Sequence, residues 1–174
     1  MSGAPPGFTP GPGQAEAVAA GVEQLLAATC VPYVIDTSVA LDWYIPQKYP
    51  VESRRYMAAG IDRHAPDLLP VEGSHALLKR VRGVSDPDRH LPFDDADAIR
   101  AALELSPIQL HPSLPLNRLA FVLAMEIGAS HYDGLFLALA IRLDGQVVTA
   151  DKKFHDKIKA SPHAIRARWV EDRP

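Results

Sequence analysis

Residues 33–43 read YVIDTSVALDW. Tyr33, Val34 and Ile35 form an unbroken apolar run, as a short strand buried on both faces requires. From Ser38 to Tyr44 the apolar residues return at helical spacing, and Pro46 is placed to end the helix they form. Between strand and helix stands Asp36. Three readings of it compete: a cap for the following helix, one part of a charged site, or a residue of a solvated loop.

QVVTAD (146–151) repeats the pattern, an apolar strand with Asp151 just past its end. Between these strands the periodicity predicts helices over 51–61, 68–82, 93–105, 116–129 and 132–143, and a strand over 108–111. Pro70 suits the first turn of the second helix, the acids of FDDADAIRAALEL open the third, and Gly145 closes the last. RARWVED (166–172) offers a final short strand. Strands alternating with helices specify an α/β domain with a central, mainly parallel sheet. Such sheets bind ligands beyond the carboxyl ends of their strands, which places Asp36 and Asp151 at one edge.

The length of 174 residues suits a single domain with a proper core. A net charge of −3 gives no bulk attraction to nucleic acid, so any such binding needs a local basic patch. The lone cysteine, Cys30, excludes an intrachain disulfide and fits a reducing compartment. No apolar run is long enough to span a bilayer, and the first basic residue, Lys48, comes too late for a secretory signal. The chain reads as cytoplasmic. Its first thirty residues stand apart: MSGAPPGFTPGPG (1–13) has the composition of a flexible tail, and AEAVAAGVEQLLAAT (15–29) that of a short helix. The domain proper is expected over 31–174.

Two further acids stand near helix starts. Glu72 follows Pro70 by two residues and shares a helix face with His75, Ala76 and Lys79. Asp133 heads YDGLFLALA, where its own face carries Phe136, Leu137 and Ala140. An acid at the head of so apolar a helix is hard to explain as surface decoration.

An apolar strand ending in Asp-Thr-Ser, then PVEGSHALL, then HYDGLFLALA, then VVTADKKF resembles the PIN-domain ribonucleases, and most of all the VapC-type toxins of bacterial toxin–antitoxin pairs. The resemblance runs from about Tyr33 to Val170. It implies a PIN-like three-layer α/β/α fold and places the family's acidic quartet on Asp36, Glu72, Asp133 and Asp151. Ser38 and Thr149 match its small hydroxyl partners. It further implies a single-stranded RNA substrate, cut internally to leave a 5′-phosphate, together with a protein antitoxin and a homodimer in which Trp43 and Tyr44 are candidate interface anchors. Two departures stand out: His75 replaces the usual Asn, and Gly134 replaces Ala at a helix-stability cost of up to about 1 kcal/mol. Relatives begin near the first strand, so residues 1–30 are expected to be dispensable for catalysis.

Two carboxylates about 4 Å apart repel by roughly 1 kcal/mol in water and about 4 kcal/mol at a protein surface. Four that converge must hold extra protons or a cation. Hard oxygen donors without cysteine or a histidine pair point to Mg²⁺ or Mn²⁺ rather than zinc. On this reading the quartet holds metal directly or through water, and Ser38 or Thr149 orients an acid or a water.

Taken singly, each acid has a plainer role. Asp36 is an N-cap, Asp151 a turn residue, Glu72 a solvated first-turn acid and Asp133 a complement to the helix dipole. Asp42 and Asp156 are expected at the surface, and His75 either packs or meets RNA. Two basic groups are candidate phosphate contacts: the run from Lys152 to Arg168, and Lys79, Arg80 and Arg82.

Two rival functions remain. A haloacid-dehalogenase-like phosphatase also uses an Asp after its first strand but needs a second acid two residues on, where this chain has Ser38. A catalytically silent PIN fold that binds RNA or protein would not need all four acids. No G-x-x-x-x-G-K or G-x-G-x-x-G follows any strand, which disfavours nucleotide-binding enzymes.

Overall fold

A computed structural model of the chain describes residues 13, 16–17, 31–45, 47–84 and 90–174. The chain divides into two compact units, Met1–Cys30 and Val31–Pro174. The tail expected over 1–13 and the helix expected over 15–29 lie outside the described residues, apart from Gly13, Glu16 and Ala17, which are helical and exposed.

The second unit runs β1 (Tyr33–Ile35), α1 (Thr37–Asp42), α2 (Pro50–Arg55), β2 (Arg63–Pro66), α3 (Leu69–Val81), α4 (Phe93–Glu104), β3 (Gln109–His111), α5 (Asn117–Ile127), α6 (His131–Arg142), β4 (Gln146–Thr149), α7 (Lys152–Lys159) and β5 (Ala167–Trp169). Its five strands form one sheet in the order β3-β2-β1-β4-β5, with every pairing parallel. The α/β class expected from the alternation is therefore observed, with a sheet parallel throughout.

From β1 the chain moves outward to β2 and β3, then returns to β4 on the other side of β1. Right-handed crossovers then put α1 to α4 on one face and α5 to α7 on the other. The order reverses between β1 and β4, so the crevice outside their carboxyl ends is the expected ligand position. Ile35 pairs with Val148 in register, so the two strands end almost level.

The core is built from the apolar runs read in the sequence. Val34, Ile35, Val147 and Val148 are wholly buried, as are Leu137 to Ala140 of α6. Helix α6 is enclosed because it packs on β1, β2 and β4 and also on α5. At Gly134 the two helices come so close that a Cβ would lie 2.4 Å from the Ala120 carbonyl oxygen. The glycine that weakens the helix in isolation is thus what lets it seat.

Several expectations need correction. The helix expected over 51–61 ends at Arg55, and Gly60 takes a positive φ of 82°. Strand β2 has no apolar alternation in the sequence, yet Ala65 is buried and the strand lies between β1 and β3. Asp42, expected at the surface, is only 2% exposed. Trp43, offered as an interface anchor, is 3% exposed and donates its indole N–H to the Ser53 carbonyl at 2.8 Å.

Candidate active site

Asp36 follows β1 directly, and its N–H donates to the Val148 carbonyl at 3.0 Å. It occupies the N-cap position of α1, but its carboxylate makes no capping bond. Instead Oδ2 accepts from Ser38 Oγ and from Thr149 Oγ1, each at 2.6 Å. Ser38 Oγ accepts in turn from the Ala150 N–H at 3.1 Å, and Thr149 Oγ1 from the Asp151 N–H at 2.9 Å. Two hydroxyls thus tie the end of β4 to the acid that ends β1. The capping role read for Asp36 alone does not hold.

The other acids come from separate elements. Glu72, on the first turn of α3, accepts from Thr37 Oγ1 at 2.5 Å through Oε2 and is not the solvated residue of its plainer reading. Asp133 closes a capping box with Ser130: its N–H donates to Ser130 Oγ and its Oδ2 accepts the Ser130 N–H, both at 3.1 Å. Asp151 caps α7, with Oδ1 accepting from the Lys153 and Phe154 N–H groups. Asp133 thus stands in the first turn of α6, as its plainer reading has it, whereas Asp151, read singly as a turn residue, is the cap of α7. These roles coexist with a shared location, because all four acids line one cleft of about 360 Å³.

Burial, with crowding behind it, raises the proton affinity of Asp36, Glu72 and Asp133. Asp36, 7% exposed, is pushed up to about 7 from an ordinary value of 3.8. Burial is the main cause; the Ser38 and Thr149 hydroxyls oppose it without overcoming it, and the charges of Glu72 and Asp133 add to it. Burial also raises Glu72, opposed by Thr37 and reinforced by Asp133. Asp133 is raised by burial and by Asp151, against the Ser130 bonds and Lys157. The charge coupling runs through all four carboxylates.

The PIN domain profile matches residues 33–159 of the chain. The chain belongs to the PIN-domain family. It is 27% identical over 131 residues to Ribonuclease VapC3 of Pyrobaculum aerophilum, an alignment covering 73% of this chain and 95% of that protein. Its fold is similar to the crystal structure of PAE2754 from the same organism, with a TM-score of 0.59, 19% identity, and coverage of 81% of this chain and 85% of that one. The PIN fold and the VapC likeness read from the motifs both hold.

In this PIN domain the donor set suits a hard divalent cation. Each acid has one oxygen held by the hydrogen bonds above. Asp36 Oδ1, Glu72 Oε1, Asp133 Oδ1 and Asp151 Oδ2 meet no donor among the described residues. Among those residues, no three His, Cys, Asp or Glu side chains stand close enough to grip one ion together. Mg²⁺ commonly takes one or two carboxylates and keeps several waters.

The cations divide in an order the sequence does not reveal. Lys79 and Arg80 line the cleft, with Arg80 held by Gln47 Oε1 at 2.6 Å. Part of the later basic run is taken up by other groups. Lys152 pairs with Asp156, Lys157 bonds the Gly128 carbonyl, and Arg166 pairs with Asp144. Asp156 is exposed, as expected. Thr37 is the residue the sequence reading missed. Its position between Asp36 and Ser38 was the only available signal.

Proposed function

We propose that this PIN domain is a Mg²⁺- or Mn²⁺-dependent endoribonuclease of the VapC type, hydrolysing internal phosphodiester bonds of single-stranded RNA. The observation that carries the reading is the meeting of Asp36, Glu72, Asp133 and Asp151, from four separate segments, in one cleft at the point where the strand order reverses. A fold needs caps and helix dipoles, but it does not need a buried carboxylate raised to about 7.

A divalent ion bound there supplies charge neutralisation at the phosphate and a more acidic water. Asp36, Glu72, Asp133 and Asp151 would hold it, directly or through water. Ser38 and Thr149 fix Asp36 by donating to the same oxygen, which leaves the other one for the cleft. Ser38 and Thr149 position Asp36, and a water is the nucleophile, so that no covalent intermediate forms. Lys79 and Arg80 draw the RNA backbone to the acids.

Likeness to Ribonuclease VapC3 also supports a toxin role, with a protein antitoxin as partner. The deciding experiment incubates the full chain with single-stranded RNA. Cleavage that needs Mg²⁺ or Mn²⁺, stops with EDTA and is lost in folded Asp36→Asn and Asp133→Asn variants supports the assignment. RNA bound but never cut, with affinity unchanged in those variants, would make the protein a binding module. Growth arrest on expression, relieved by the product of an adjoining small gene, would establish the toxin role.

A further inference from the structure

A second cavity, of about 520 Å³, adjoins the acidic cleft and is lined by Leu68, Val71, Glu72, His75, Lys79 and Tyr132. Glu72, His75 and Lys79 line both cavities. Their spacing on α3 is i, i+3, i+7, so they form one ridge about 10 Å long. On one side of the ridge lie the acids and Arg80; on the other lie Leu68, Val71 and the Tyr132 ring. Tyr132 immediately precedes Asp133 on the first turn of α6, and successive helical residues point to different sides. Asp133 therefore lines the cleft while Tyr132 lines only the second cavity.

Several side chains that line the second cavity are left unengaged by the fold. Tyr132 is 59% exposed and Val71 70% exposed. The Tyr132 ring packs on no other ring among the described residues, and its hydroxyl makes no hydrogen bond there. Lys79 forms no ion pair with a described residue, and the His75 side chain makes no hydrogen bond with one. The volume falls within the range of small-ligand pockets.

We infer that this second cavity is a nucleobase subsite: with an RNA phosphate in the acidic cleft, a neighbouring base lies in the second cavity, stacked on Tyr132 against Leu68 and Val71. This rests on the nuclease reading above and adds to it the place of one base. Lys79 and His75 on the shared ridge face the phosphate between the two positions. Stacking on a tyrosine face tolerates any base, so the subsite favours unpaired strands over duplex rather than one sequence over another.

The test uses the full chain carrying Asp36→Asn, which keeps RNA intact, and short single-stranded oligoribonucleotides with one 2-aminopurine walked along the chain. Binding should quench the probe at one position. Adding Tyr132→Ala should abolish that quench and weaken binding on the order of ten-fold, whereas Tyr132→Phe should keep both. An abasic nucleotide at that position should weaken binding to the same degree. Unchanged affinity and quench in Tyr132→Ala would overturn the inference. So would unchanged RNA binding with an altered oligomeric state, which would assign the groove to a second copy of the chain. Quench without metal-dependent cleavage by the unmodified chain would sink the nuclease reading and leave the subsite standing.

Discussion

Thr149 Oγ1 donates to Asp36 Oδ2 at 2.6 Å and accepts the Asp151 N–H at 2.9 Å, so one buried hydroxyl joins the acids that end two neighbouring strands. Thr149→Val keeps the shape and removes both bonds. Leaving buried groups unpaired costs about 1–3 kcal/mol. Because the Thr149 bond holds the Asp36 pKa down, its loss raises that pKa further. The variant should therefore be less stable and less active, and its activity should rise only at higher pH than in the parent. A melt and a pH–rate profile check this; an unmoved profile would deny the hydroxyl its positioning role.

Asp36 links stability to pH. In the metal-free fold it keeps its proton up to about 7, whereas unfolded it loses that proton near 3.8. Between those values the native state binds more protons, so stability falls as pH rises. The contribution is complete below about pH 4 and is lost as pH passes about 7, on the order of 4 kcal/mol in all. In EDTA, Asp36→Asn should flatten this slope and melt several degrees above the parent at pH 8. Denaturation followed from pH 4 to 8 measures it, and equal slopes would show that burial does not strain the carboxylate.

Gly134→Ala should destabilise the protein even though alanine is the better helix former. The added Cβ would meet the Ala120 carbonyl oxygen at 2.4 Å, and backbone cannot yield as a side-chain tip can. Overpacking of this kind costs about 1–3 kcal/mol, more than the roughly 1 kcal/mol gained in propensity. Chemical denaturation gives the sign directly. A stabilised variant would mean that α5 and α6 are farther apart.

Lys79→Ala and Arg80→Ala should each weaken RNA binding and reduce the slope of log affinity against log salt by roughly 0.7. Lys152→Ala should change that slope little, because the Asp156 carboxylate already pairs with that side chain. Salt titrations by fluorescence anisotropy separate the two groups.

Much of this architecture was readable in the sequence because its decisive parts are locally encoded. Buried parallel strands are apolar throughout, so YVI and QVV declare β1 and β4, and Pro70 marks a helix start. Strand β2 was not readable: Arg63, His64 and Pro66 carry no strand signal, and only its place between β1 and β3 makes the segment extended. The acids could be singled out, but their plainer roles could not be dismissed from sequence. Asp133, read singly as a dipole complement, closes a capping box, and Asp151, read as a turn residue, caps α7, while Asp36 stands at the N-cap position without a capping bond from its side chain. The hydroxyl of Thr37 on Glu72 spans 35 residues, and no local pattern encodes such a contact. Nor could spacing tell that Lys79 and Arg80 line the cleft while Lys152 pairs with Asp156.

Divalent binding by the acids is tested most directly by titrating the full chain with Mn²⁺ at pH 8 and following the free ion by electron paramagnetic resonance. The unmodified chain should take up Mn²⁺ saturably, and folded Asp36→Asn and Asp133→Asn variants should bind at least about ten-fold more weakly. Equal uptake by all three proteins would contradict the account, since the ion would then lie away from these carboxylates.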